Sequence, residues 1–87
     1  MDKTLKNKIE EKLHETLSNK EEIHKLRQTL SNIADSKSFV LGVVVGRIYN
    51  SFYYQSKRIL NREPTLEEFN EFVDYIESRK SEFENLW

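Results

Sequence analysis

The spacing of apolar residues in the last quarter of the chain constrains the fold more than any other feature of the sequence. Beyond Thr65, apolar side chains recur in alternating steps of three and four, with Lys80 in the one gap. These residues, the C-terminal seam, are Leu66, Phe69, Val73, Ile76, Phe83 and Trp87. The spacing is typical of a helix that packs lengthwise against a second helix at a shallow angle. It predicts a helix over residues 66–86, with Phe72 and Tyr75 widening the apolar stripe.

The residues before this helix mark its beginning. Pro64 disfavours the α conformation for Glu63, so the preceding helix should end near Asn61 or Arg62. Thr65 and Glu68, three residues apart, have the pattern of a capping box. We therefore predict a tight hairpin about Pro64 between a central and a C-terminal helix.

The central segment fits two kinds of structure. Residues 39–46 are rich in β-branched side chains, which is typical of a strand. The same segment carries apolar residues at helical spacing, interrupted only by Gln55: Leu41, Val45, Ile48, Phe52 and Ile59. Because a lone strand is not stable without a partner, we predict a helix over residues 38–61. Gly42 and Gly46 should then each cost about 1 kcal/mol relative to alanine.

The first third of the chain contains two apolar stripes that differ in phase. The first stripe is Leu5, Ile9, Leu13 and Leu17, and the second is Ile23, Leu26, Leu30 and Ile33. Residues 18–22 separate them and contain two overlapping capping-box patterns. One bent helix and two separate helices both fit, and we favour two, over residues 3–17 and 20–34, with a break near Asn19.

The composition supports an all-α fold. Two glycines and one proline are too few for the many turns of an all-β protein. Hydrophobic residues make up only 37% of the chain, which suffices when each helix buries a single apolar stripe. We predict one domain over residues 1–87, a small antiparallel bundle of three long helices whose first helix is bent or broken near Asn19.

Several classes of function are not expected. The chain has no cysteine, so it has neither disulfides nor thiolate metal sites. His14 and His24 fall on different faces of a continuous helix, and we predict no metal site, no cofactor and no enzymatic activity. The longest apolar run, residues 39–46, is far shorter than the roughly 20 residues that cross a bilayer. We therefore expect a soluble, cytoplasmic protein without membrane insertion.

Charge is distributed unevenly along the chain. Residues 34–63 contain five Lys/Arg against two Asp/Glu, whereas residues 64–87 contain two against seven. One side of the central helix, the basic face, carries Arg47, Asn50, Tyr54, Arg58 and Arg62. Arginine and tyrosine suit phosphates and bases, and they are equally common at protein hot spots. Pairing with the acidic C-terminal helix, a protein partner and nucleic acid all remain open, although a pI of 6.1 argues against a dedicated nucleic-acid binder.

A second side of the central helix carries two glycines, which have no side chains to cover its backbone. This glycine line consists of Gly42, Gly46, Tyr49 and Tyr53. Glycines four residues apart let helix backbones approach closely. We favour close packing within the chain, and a close contact across a dimer is the alternative.

These surfaces exceed what the core of one small bundle needs. We therefore expect self-association, most simply a two-fold dimer in which two helical hairpins form a four-helix core. The predicted function is a non-enzymatic interaction module, such as an adaptor, assembly or regulatory protein. The alternative is a nucleic-acid-binding accessory protein that uses the basic face.

Overall fold

The computed structural model describes residues 1–29 and 35–84, and this part of the chain contains helices and no strand. The five helices are α1 (Lys3–Ser18), α2 (Lys20–Thr29), α3 (Ser36–Leu60), α4 (Leu66–Ser78) and α5 (Lys80–Glu84). The predicted all-α class is confirmed. With the favoured break near Asn19, the sequence predicted four helical segments, and the described residues contain five because a second break divides the last predicted helix.

The first break lies at Asn19, where the sequence favoured one. The Asn19 backbone N–H donates to the Thr16 carbonyl at 3.1 Å, a three-residue hydrogen bond that tightens the last turn of α1. The Ser18 hydroxyl also donates to the His14 carbonyl at 2.8 Å, within this turn. The predicted continuation of the second helix to residue 34, with Leu30 and Ile33, lies outside the described residues.

The second break lies at Arg79, where the sequence predicted an uninterrupted helix. The Arg79 backbone N–H donates to the Ile76 carbonyl at 3.1 Å, and the Ser78 hydroxyl donates to the Tyr75 carbonyl at 2.7 Å. These short-range hydrogen bonds satisfy the carbonyls at the end of α4 and end the helix there. Leu86 and Trp87, predicted to complete the helix, lie outside the described residues.

The core lies mainly between α1 and α3. Its buried hydrophobic residues are Leu5, Ile9, Leu13, Ile23, Val40, Val44, Ile48, Phe52, Phe72 and Phe83. The backbones of α1 and α3 approach each other along much of their length, more closely than those of any other helix pair in the described chain. The predicted pairing of the central and C-terminal helices is therefore secondary to the packing of α1 on α3.

This packing shifts the buried side of α3. The sequence predicted Leu41 and Val45 as inward-facing, but Val40 and Val44 are buried instead, and Leu41 is 37% exposed. The prediction assumed that a single neighbouring helix determines which side of α3 is buried. In the structure both α1 and α2 pack on α3, and α1 contacts it through Glu15, which accepts from Arg47, so more than one neighbouring helix determines which side of α3 is buried.

Candidate functional site

The turn between α3 and α4 sets the position of α4. Asn61 ends α3 in the left-handed conformation, with φ of 57°, and its N–H donates to the Lys57 carbonyl at 3.0 Å. Thr65 begins α4 with the predicted capping box. The Glu68 N–H donates to the Thr65 hydroxyl at 3.2 Å, and the Thr65 N–H donates to the Glu68 carboxylate at 2.9 Å.

Arg62 reinforces this turn. Its guanidinium donates two hydrogen bonds to the Glu68 carboxylate, at 2.6 Å and 3.2 Å. The hydrogen bond from Arg62, aided by the Thr65 backbone N–H, lowers the pKa of Glu68 from 4.5 to about 2. The carboxylate therefore stays charged well into the acidic range and keeps holding the start of α4.

Glu68→Gln should lower stability in a pH-dependent way. Glutamine preserves the capping box but loses the charge, so at neutral pH the variant should be less stable by at most about 1 kcal/mol. Because its pKa is lowered in the folded chain, the Glu68 carboxylate contributes stability above pH 4.5, and this contribution is lost as the pH falls towards 2. Urea unfolding followed by circular dichroism should show the difference from wild type shrinking across this window. A difference independent of pH would contradict the role of the charge.

Aromatic rings connect α3 to α4. Phe72 is buried and stacks on Phe52, with ring centroids 4.4 Å apart and planes 12° from parallel. Tyr49 lies 6.0 Å from Phe72 and 6.2 Å from Phe69, again between ring centroids. These large side chains separate the two helices and leave a groove on the outer side of the contact.

The α3–α4 groove is open and apolar. It has a volume of about 400 Å³ and is lined by Val45, Tyr49, Phe69, Phe72, Val73, Ile76 and Glu77. Tyr49 and Val73 are 43% and 45% exposed, and Leu66 is 76% exposed. Apolar surface of this kind, contiguous and open to water, is typical of an interaction site.

The C-terminal seam is only partly buried within the chain. Phe83 is buried and Phe69 and Ile76 are half-buried, as expected of a seam. The expectation that Leu66 and Val73 pack into the core of the chain is wrong, because both are exposed. Phe72 was expected only to widen the stripe, but it is buried against Phe52. The buried side of α4 is therefore shifted by one residue, from Val73 to Phe72. Trp87 lies outside the described residues.

The glycine line borders this groove and is also uncovered. Gly42 and Gly46 are exposed, and a Cβ atom built on either would meet nothing within 4 Å. The favoured prediction of close packing within the chain is therefore wrong, because no described neighbour approaches these glycines. Tyr49 and Tyr53 contact each other edge to face at 5.4 Å between ring centroids.

Arginines of the basic face are largely engaged within the chain. Arg47 donates to the Glu15 carboxylate of α1 at 3.2 Å, and Arg62 binds Glu68 as described above. Only Arg62 thus pairs with the acidic C-terminal helix, as one prediction proposed. Arg58 donates to the Gln55 side-chain oxygen at 3.1 Å.

The remaining residues of the basic face border a shallow polar pocket. It has a volume of about 250 Å³ and is lined by Lys12, Arg47, Asn50, Ser51, Tyr54 and Gln55. Lys12 lies 3.1 Å from the Glu15 carboxylate that also accepts from Arg47. A carboxylate shared by both cations reduces their attraction for an anionic ligand.

A cluster that sequence analysis did not find ties α1 to the end of α4. The Arg79 guanidinium binds the Glu10 carboxylate at 2.5 Å and Glu82 at 2.8 Å. Partial burial raises the pKa of Glu10, but the neighbouring Tyr75 hydroxyl and Arg79 cation outweigh it and hold that pKa below its usual value. Glu10 and Arg79 are 69 positions apart, so no local pattern reveals the pair. The cluster therefore links α1 to the residue at which α4 ends.

Similarity to known proteins does not indicate a function for this chain, and no group of metal-binding side chains indicates one in the described residues. Comparisons with family models, curated proteins and solved structures find no match for this chain. In residues 1–29 and 35–84, no three His, Cys, Asp or Glu side chains are grouped to hold a metal ion. Among the helices of this same part, none combines the length and apolar character that a bilayer crossing requires.

Proposed function

We propose that the protein is a non-enzymatic interaction module that self-associates through α3 and α4. The single observation that carries the proposal is the open α3–α4 groove, which leaves apolar and aromatic side chains in water. Monomeric proteins rarely expose such surface without a binding role. Tyrosine at its edge, 43% exposed at Tyr49, is one of the residues enriched at interface hot spots.

A second copy of the chain is a suitable occupant. In a two-fold dimer the same patch on both subunits is buried at once, so one apolar groove covers the other. Two α3–α4 pairs placed face to face would form a four-helix core. Leu66 and Val73, exposed in the single chain, would then gain the burial that their place in the C-terminal seam predicts.

Val73→Glu tests this function. Each dimer would bury two carboxylates against apolar surface, at a cost of several kcal/mol. We expect the dissociation constant to rise by at least about 100-fold, measured by sedimentation equilibrium. Leu26→Glu is the matched control, because Leu26 is also apolar and 50% exposed but lies on α2. Equal association of both variants and wild type would contradict the proposal.

The alternative function, nucleic-acid binding through the basic face, has less support. Arg47 and Arg62 are paired with carboxylates of the same chain, and Lys12 shares the partner of Arg47. Cations neutralised in this way release few counterions on binding a phosphate backbone. The groove is therefore the better-supported site.

A further inference from the structure

We propose that the occupant of the groove is a second copy whose α3 runs antiparallel to the first, with the two helices crossing at Gly46. This inference rests on the self-association proposed above and specifies its geometry. It is carried by the arrangement of residues along the outer side of α3, together with the open groove beside it.

The outer side of α3 has a symmetric sequence of residues. Stepping by three or four residues gives one line along the helix: Phe39, Gly42, Gly46, Asn50, Tyr53 and Lys57. Aromatic residues stand seven positions to either side of Gly46, and small or short side chains stand four positions to either side. Phe39 and Tyr53 are half-buried, whereas the rest of the line is exposed. A line that reads alike in both directions is suited to pairing with itself in antiparallel orientation.

A two-fold axis at Gly46 brings complementary shapes together. Each residue that follows Gly46 in one copy then faces the residue that precedes Gly46 by the same number of positions in the second copy. Phe39 would pack against Tyr53 of the second copy, and Asn50 would lie opposite Gly42 of the second copy. Because a Cβ on Gly42 or Gly46 would meet nothing in the single chain, this side has room for a close backbone approach.

Charge also favours this orientation. Asp35, which caps the beginning of α3, lies eleven positions before Gly46, and Lys57 lies eleven positions after it. An antiparallel pair therefore brings each Lys57 opposite an Asp35, whereas a parallel pair brings like charges together. The nearest carboxylate to Lys57 within the chain is the exposed Glu63, at 3.6 Å, a weak surface pair. The two helix dipoles are also favourably opposed.

The same axis accounts for the groove. It passes beside Val45 and Tyr49, the residues of α3 that line the groove and that neighbour Gly46 on the helix surface. The groove of each copy, with Tyr49 and Val73 at its edge, then opens towards the other copy. Apolar surface that is exposed in one chain is covered in the pair.

Cysteine cross-linking tests the crossing point, and the chain is suited to it because it contains no cysteine. Gly42→Cys and Asn50→Cys are prepared as separate chains, since both positions are exposed. Like residues would be about 12 Å apart along the helices, beyond the roughly 7 Å that a disulfide spans. Gly42 of one copy and Asn50 of the other would be adjacent. Leu26→Cys, on α2 and 50% exposed, is the control for random collision.

We expect the mixture of the two chains to cross-link at least about tenfold faster than either chain alone or than the Leu26→Cys control. Faster cross-linking of each chain with itself, or no preference for the mixture, would overturn the antiparallel crossing at Gly46. If wild type is dimeric and Val73→Glu dissociates it, such a result would leave the proposed function standing. A wild-type chain that never dimerises would contradict both the antiparallel crossing and the proposed function.

Discussion

Phe52→Ala is expected to destabilise the chain by about 3–5 kcal/mol, the cost of removing a buried phenyl ring from a core. Phe52 has no exposed surface, and it stacks on Phe72 of α4 while the rest of its helix packs on α1. It thus joins the main core to the floor of the α3–α4 groove. A small domain has only about 5–15 kcal/mol of stability, so the variant should lose a large share of it.

Urea unfolding followed by circular dichroism measures this loss. Tyr54→Ala is the control, because Tyr54 is an aromatic residue of the same helix but is 62% exposed. Its effect should stay within about 0.5 kcal/mol, as is usual for surface positions. A loss of similar size in both variants would contradict the packing of Phe52 between α1 and α4.

Replacing both glycines of α3 with alanine should have the opposite effect on stability. Gly42 and Gly46 lie inside the helix, neither has a positive φ, and a Cβ on either meets nothing within 4 Å. The double variant should therefore be more stable by about 1–2 kcal/mol. The measurement is best made in the Val73→Glu background, where self-association does not contribute. A loss of stability there would contradict the exposed position of the glycines.

In the wild-type background the same double substitution should weaken self-association. The methyl group at position 46 would stand where the backbones of the two α3 helices cross, so we expect a dissociation constant at least about tenfold higher. Position 42 lies about 6 Å along the helix from that crossing, so a small side chain there should have the lesser effect. The double variant would then have a more stable fold and a weaker dimer than wild type. Unchanged association would place the glycines outside the interface.

The elements of the fold that follow from local patterns were predicted well. The end of α3 at Leu60, close to the predicted end near Asn61 or Arg62, the start of α4 at Leu66 and the capping box of Thr65 all depend on residues a few positions apart. The break at Asn19 was favoured for the same reason, since the change of stripe phase is visible in the sequence.

The features that depend on distant residues were not predicted. The Glu10–Arg79 ion pair, which ties α1 to the end of α4, joins residues 69 positions apart. The buried stripe of α3 is set by which helix covers it, so Val40 and Val44 replaced the expected Leu41 and Val45. Periodicity identifies an apolar side of a helix but does not say which neighbour covers it.

The candidate site was predicted in its residues but not in its arrangement. Tyr49, Phe69 and Val73 all belong to sets that the sequence singled out, yet the groove exists because Phe72 stacks on Phe52 and keeps the helices apart. Arg47, Asn50, Tyr54 and Arg58 of the basic face lie on α3 and Arg62 lies in the turn after it, and the pairing of Arg47 with Glu15 of α1 could not be inferred from spacing.

Light scattering of the wild-type chain over a range of concentrations, with and without a short random DNA duplex, tests the central claim most directly. We expect a mass approaching twice the 10.5 kDa of one chain as the concentration rises, unchanged by the duplex. A mass that stays at 10.5 kDa up to high concentration would contradict self-association through the α3–α4 groove. A mass that increases only when DNA is present would instead favour the basic face as the functional surface.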